Sequence, residues 1–366
     1  MWGLFLFQSA IPRWLMCGGQ YRLPDVTGIG ENIMKNRMKK MMAALLCGAM
    51  TMTMLAGCGG SSSSESEDTY KIAIVKQLDH ASLDEISVAI QTEFDAIAEK
   101  EGVTIEYVEY SGQNDQSTLK QICDQAVSDG CDAIVPIATM AAQVATVSAQ
   151  ETETPVIFAA ISDPESADLT GFDYVSGTSD ALDTTKIMDM MFAQNPDIKK
   201  VGLLYSLSET NSATPIAEAK AYLDEKGIAY DEQTANTNDE VTAAASTLIA
   251  NGVDAIFTPT DNVVMAAELA IYESLIKAGI PHYTGADSFV RNGAFATCGV
   301  NYTDLGTKTA DLTYEAITKG MTDMDDFYTM EGGIITINTE TAAALNLDYS
   351  VLKDLGEIVE VTTSEE

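Results

Sequence analysis

Gly130-Cys131-Asp132-Ala133-Ile134 returns later in the chain as Gly252-Val253-Asp254-Ala255-Ile256. Each copy runs from the end of a long amphipathic stretch into a short apolar one, and matching neighbours surround both. Lys71-Ile72-Ala73-Ile74-Val75 pairs with Lys200-Val201-Gly202-Leu203-Leu204. Glu99-Lys100-Glu101-Gly102-Val103 pairs with Asp224-Glu225-Lys226-Gly227-Ile228, and Thr154-Pro155 with Ile280-Pro281. The repeating unit is longer than the ~20–50 residues of stacked solenoid repeats. Two similar domains facing each other explain it better.

The apolar runs predict strands at Lys71–Lys76, Thr104–Tyr110, Ala133–Ile137, Val156–Ala160, Val201–Tyr205, Ala255–Pro259 and His282–Ala286. Amphipathic spacing predicts helices at Leu83–Lys100, Ser117–Ser128, Ala213–Lys226 and Val263–Lys277. In the last of these, Val264, Ala267, Leu269, Ile271 and Leu275 supply an apolar face. Continuous apolar strands joined by helices imply an α/β fold, with two doubly wound parallel sheets covered on both faces.

Ligands of open parallel α/β sheets sit beyond the carboxyl ends of the strands. Two facing sheets therefore share one cleft. Under the repeat, Thr139 corresponds to Asp261, each at a helix start facing that cleft. The Thr139 hydroxyl and free helix N–H groups suit a carboxylate, or Thr139 is an ordinary helix start. Ser162, after Ala160, adds a second hydroxyl. Asp261 and Asp287 either hold an ammonium group or cap the helices that follow them. Tyr205 and His80, at or just past strand ends, are placed to flank a ring or apolar side chain.

The N-terminal region reads as an address. Lys35, Arg37, Lys39 and Lys40 form a basic flank, and Met41 to Leu55 form an apolar run too short to span a membrane. Leu55-Ala56-Gly57-Cys58 resembles a bacterial lipobox, whose cysteine becomes acylated, and Gly59 to Asp68 reads as a polar tether. Residues 1–33 fit neither signal nor domain, which places the expected start at Met34. The expected organisation is signal peptide 34–57, tether 58–68, one lobe from 69–179 with 297–330, and a second from 180–296 with 331–366.

The chain holds 20 Lys and Arg against 55 Asp and Glu. Six of the bases fall before the tether, so the remainder carries a formal charge of about −39. Such a surface repels nucleic acid and suits an exported, soluble protein. Setting aside Cys17, Cys47 and Cys58 leaves Cys123, Cys131 and Cys298, an odd number that requires a free thiol. Cys123 and Cys131 either bridge or stay buried as thiols, the second being preferred. The two histidines, His80 and His282, have no metal-ligand spacing, and no nucleophile-elbow, phosphate-loop or dinucleotide motif occurs. No catalytic residue, cofactor or metal is therefore expected.

Several segments resemble a family of ABC-transporter substrate-binding lipoproteins. They are Gln113-Asn114-Asp115-Gln116-Ser117-Thr118-Leu119, Ala138-Thr139-Met140-Ala141-Ala142-Gln143 and Phe158-Ala159-Ala160-Ile161-Ser162-Asp163-Pro164. Gly177-Thr178-Ser179-Asp180, Glu209-Thr210-Asn211-Ser212 and Pro259-Thr260-Asp261-Asn262 follow in order, so the similarity runs from about Tyr70 to Lys319. The family is similar to type I periplasmic-binding proteins, and its better-understood members bind tryptophan or tyrosine.

The resemblance implies that Thr139, Ser162 and nearby amides take a carboxylate and that Asp261 or Asp287 takes an amine. With the residues above, the expected ligand-binding set is His80, Thr139, Gln143, Ala160, Ser162, Asp163, Tyr205, Asn211, Asp261, Asn262 and Asp287. The family usually has proline where Met140 stands, and often where Ala81 follows His80. The resemblance further implies lobes that hinge at crossings near Thr178–Leu182, Ala296–Tyr302 and Met330–Gly333. The implied partners are an ABC permease with its ATPase, and the membrane through Cys58, with the protein itself a monomer outside the cell membrane. A ligand-sensing lipoprotein of the same fold, binding a sugar, nucleoside or signal molecule, is the alternative.

Overall fold

The computed structural model describes residues 68–364. The readings of the signal peptide, the Cys58 lipid site, most of the tether and the start at Met34 lie outside the described residues. In chain order the first seven strands are β1 (Thr69–Lys76), β2 (Thr104–Ser111), β3 (Ala133–Ile137), β4 (Val156–Phe158), β5 (Val175–Ser179), β6 (Lys200–Tyr205) and β7 (Ala229–Thr234). The others are β8 (Ala255–Thr258), β9 (His282–Thr284), β10 (Ala296–Gly299), β11 (Tyr328–Thr329), β12 (Ile334–Asn338) and β13 (Ile358–Val361). They form two sheets, ordered β11-β5-β4-β3-β1-β2 and β13-β12-β10-β9-β8-β6-β7. Every pairing is parallel except β10 with β12. Each sheet with its helices is one lobe.

The repeat is a real structural unit. Ile72 pairs with Ala133 in one lobe as Val201 pairs with Ala255 in the other. Gly130 and Gly252 both close their helices in the left-handed region, at φ 70° and 67°, where a side chain is disfavoured. The aspartate two residues on then does the same work twice. Asp132 Oδ2 accepts the Lys71 N–H at 2.8 Å, and Asp254 Oδ2 accepts those of Lys199 and Lys200 at 2.8 and 2.9 Å. Each carboxylate thus locks the start of the central strand to its neighbour and sets the register from which the strand ends follow.

The chain passes between lobes three times, at residues 180–183 after β5, at 300–301 after β10 and at 330–333 between β11 and β12. After the second passage, the helix Tyr302–Lys319 returns to pack on the helix Ala81–Glu101. Gly306 permits that approach: a Cβ there would lie 2.6 Å from Ala89 Cβ and 2.7 Å from the Ile86 carbonyl oxygen.

Three expectations change. The helix predicted over Val263–Lys277 is two helices, Asn262–Met265 and Glu268–Ala278, interrupted at Ala266 and Ala267. The break shifts the helical face: Leu269 is exposed, while Glu268 is fully buried with Oε1 3.1 Å from His282 Nδ1. Strands β5, β7 and β10 to β13 were not foreseen; apart from the buried, Ile-rich β12, their sequences are polar, short or exposed along an edge. Tyr205 continues the β6 alternation of Val201 and Leu203, so its ring packs on the core behind the sheet. Cys123 and Cys298 are buried and Cys131 is half-buried, and all three are free thiols. No helix among the described residues is long and apolar enough to cross a membrane.

Candidate functional site

The carboxyl ends of both sheets converge on a narrow cavity lined by residues of both lobes. Two alanines frame it from the first lobe. Ala138, after β3, has φ 77°, and Ala160, after β4, has φ 58°. A side chain in that region costs about 1–3 kcal/mol, a strain that concentrates at binding sites. Beyond Ala138 starts the helix Thr139–Ala149, whose Met140 N–H donates to Gln77 Oε1 at 3.0 Å. Leu83, Met265, Phe289 and Tyr302 supply an apolar wall.

Direct hydrogen bonds tie the lobes at and around this cavity. Gln77 Nε2 donates to Glu209 Oε1 at 2.8 Å, and Ser162 Oγ meets Thr260 Oγ1 at 2.8 Å. Thr214 donates to Asp163 Oδ2 at 2.8 Å, and Ser82 bonds Ser288. His80 Nε2 lies 2.9 Å from Asn262 Oδ1. The lobes are therefore closed on each other. Asn262 Nδ2 donates to Glu209 Oε2 at 2.7 Å, so its oxygen is an acceptor and His80 Nε2 carries the proton. Burial lowers the His80 pKa, leaving a neutral ring whose buried Nδ1 accepts from no protein group. Asn211 Oδ1 is likewise buried without a protein partner, while its amide donates to the Thr260 carbonyl at 2.7 Å.

The carboxylates divide sharply. Asp261 is fully buried, and its two oxygens accept from Ser206 N–H at 2.6 Å, Ser212 Oγ at 2.7 Å and Val264 N–H at 3.0 Å. It is a helix cap that also pins the loop after β6. Burial raises its pKa, and those donors counter the rise. Asp287 forms an ion pair with Arg291 at 3.0 Å and does not line the cavity. Glu209 is pushed up to about 7, first by burial and then by the charge of Asp261. Asp180, at the first interlobe passage, lines the cavity, with Oδ1 accepting from Ser162 Oγ at 2.9 Å and Oδ2 from Tyr302 Oη at 3.1 Å. Burial raises its pKa, and the two hydroxyls offset part of that.

Of the residues expected at the site, His80, Thr139, Ala160, Ser162, Asn211, Asp261 and Asn262 line the cavity. Gln143 lies in an adjoining hollow with Gln77 and Glu209, its amide donating to the Ala167 carbonyl at 3.0 Å. Asp163 stands outside the cavity, accepting from Ser166 N–H at 3.0 Å and bridging to Thr214. Tyr205 is turned away, its hydroxyl donating to Glu232 at 3.0 Å. Gln77, Asp180 and Glu209 were missing from the expected set. Asp180 had a readable signal, since it ends the Gly177–Asp180 motif where the chain was expected to change lobes.

Two α/β lobes, linked by three passages and meeting at a polar-rimmed apolar cavity, have the architecture of a binding protein. Residues 71–357 match the ABC transporter substrate binding proteins, and the chain belongs to that family. The family comprises solute-binding proteins that work on the extracytoplasmic side of the membrane. The tyrosine-binding protein of Clostridioides difficile (strain R20291) is 29% identical over 323 residues, which cover 84% of this chain and 93% of that one. The structure of an ABC domain from Streptococcus pneumonia in complex with L-Trp is 28% identical, with a TM-score of 0.71 over 80% of this chain and 100% of that one. The ligand-free, open structure of a substrate binding protein with adhesive properties from Clostridium difficile is also 28% identical. Its TM-score is 0.61 over 81% of this chain and 100% of that one.

Proposed function

We propose that this chain captures an amino acid with an aromatic side chain between its lobes and delivers it to the permease of an ABC importer. The observation that carries this is an interlobe cavity in a chain similar to one protein named for binding tyrosine and another held with L-Trp. Its apolar wall suits a ring. The start of the helix Thr139–Ala149 and the Ser162 hydroxyl suit the α-carboxylate. On this reading, opening at the three passages admits the ligand and closing buries it. Acylation at Cys58 would hold a monomer beside the permease, since more than one acyl chain makes an anchor durable.

Thermal unfolding of the full-length chain in detergent tests the ligand class against the twenty amino acids, nucleosides and common sugars. Ligand at a hundred times its Kd adds about 2.7 kcal/mol of stability. Tryptophan or tyrosine should raise the melting temperature; a response confined to a sugar or nucleoside would transfer the site to the sensing alternative. Cell fractionation tests the anchor. Cys58→Ser should move the protein from membrane to soluble fractions, and an unchanged distribution would remove the lipid anchor from the account.

A further inference from the structure

We propose that Asp180, and neither Asp261 nor Asp287, holds the ligand's ammonium group. The proposal rests on the amino-acid reading above and names the residue that enforces it. Asp261 is disfavoured by its hydrogen bonds: three donors of its own lobe already take most of the acceptor positions on its oxygens. Asp287 has a buried Oδ1 without a protein partner, but it does not line the cavity and its Oδ2 is already paired with the Arg291 cation. Glu209 accepts from Gln77 and Asn262 and faces the adjoining hollow.

Asp180 differs from all three. It lines the cavity, and each of its oxygens takes one neutral hydroxyl. No Lys or Arg among the described residues forms an ion pair with it. A carboxylate has about four acceptor positions, so two hydroxyls leave room for further donors. The same cavity holds two more acceptors without protein partners, His80 Nδ1 and Asn211 Oδ1. A primary ammonium brings three N–H donors and a positive charge. That matches one carboxylate and two neutral acceptors, a set that a sugar hydroxyl would leave uncompensated in charge.

The location adds a function. Asp180 opens the first interlobe passage, and Tyr302, which donates to it, follows the second. Ser162, its other donor, also reaches across to Thr260 of the second lobe. An ammonium seated on Asp180 therefore neutralises a charge that closure buries, which couples amine recognition to hinge closing. The raised pKa of the unpaired carboxyl is consistent with this, because an adjacent cation would lower it.

The test is calorimetric titration of the full-length chain with L-tryptophan and L-tyrosine. Their deaminated analogues, 3-(indol-3-yl)propanoate and 3-(4-hydroxyphenyl)propanoate, serve as comparison. Wild type should prefer the amino acid by at least a hundredfold, since a site built around buried acceptors rejects a ligand lacking the donors. Asp180→Asn should lose at least a hundredfold for the amino acid and little for the analogue, collapsing the preference. Asp261→Asn should keep it. A wild-type-like preference in Asp180→Asn, or an equal loss for both ligands, overturns the assignment while leaving amino-acid binding intact. Silence of the wild type toward every amino acid would instead fail the parent reading. If Asp180→Asn does not fold, as judged by circular dichroism, Tyr302→Phe reads the same quantity. It should weaken the amino acid several-fold and spare the analogue, and an equal loss for both overturns the proposal.

Discussion

Asp261→Ala should lower the melting temperature by roughly 5–10 °C, the largest stability loss expected of any single substitution at the cleft. The carboxylate accepts from two backbone N–H groups and one hydroxyl, all enclosed by protein. Removing it leaves those three donors buried without partners, at about 1–3 kcal/mol each, partly offset by relief of its repulsion with Glu209. Asp261→Asn keeps the shape and one good acceptor, so its loss should be about half as large. Calorimetric scanning of both variants checks this. A residue whose task was to hold an ammonium would behave in the opposite way, with ligand affinity lost and the ligand-free melting temperature unchanged or raised. That pattern would reinstate Asp261 as the amine partner.

The pH profile of wild type relative to Glu209→Gln should fall with rising pH. Glu209 has a folded pKa of about 7 against an ordinary 4.5. Between those values the folded state binds more protons than the unfolded one, so stability declines as pH rises. The contribution is greatest below about 4.5 and is lost as pH passes through 7. A raise of that size corresponds to a difference on the order of 3 kcal/mol across the window. Urea denaturation at pH 5, 6, 7 and 8 measures it. The variant serves as reference because Asp180 and Asp261, also raised, slope the same way, while His80, lowered, slopes the other. Taking the difference isolates Glu209. Repeating the comparison in an Asp261→Asn background should shrink the slope, since part of the rise comes from the Asp261 charge. An equal difference at every pH would show that Glu209 stays ionised in the folded protein.

The repeat was legible because it is carried by local rules. A glycine that ends a helix, an aspartate that grips the neighbouring strand and an apolar run need only their own neighbourhood, and they recur in both lobes. The strand ends followed, and with them the position of the cleft. Tyr205 could have been read correctly as well, since Val201 and Leu203 share its side of the strand. Strands β5 and β7 escaped for physical reasons. Val175–Ser179 is buried yet largely polar, with Ser176 and Thr178 donating or accepting hydrogen bonds. Ala229–Thr234 is an exposed edge whose apolar content is small. The broken helix after β8 was hidden because Val263–Lys277 keeps helical spacing through the break.

The sequence by itself determined two similar α/β units, the strand ends that face each other and the residues brought within reach of the cleft. These depend on periodicity and on chain neighbours. Which polar groups remain free to meet a ligand was decided only by the tertiary structure. A carboxylate's capacity for hydrogen bonds is finite, and its donors come from far along the chain. Ser206 and Ser212 lie 55 and 49 residues from Asp261, and Tyr302 lies 122 residues from Asp180. Folding brought three donors to Asp261, which use most of its acceptor capacity, and brought two hydroxyls to Asp180 without a cation.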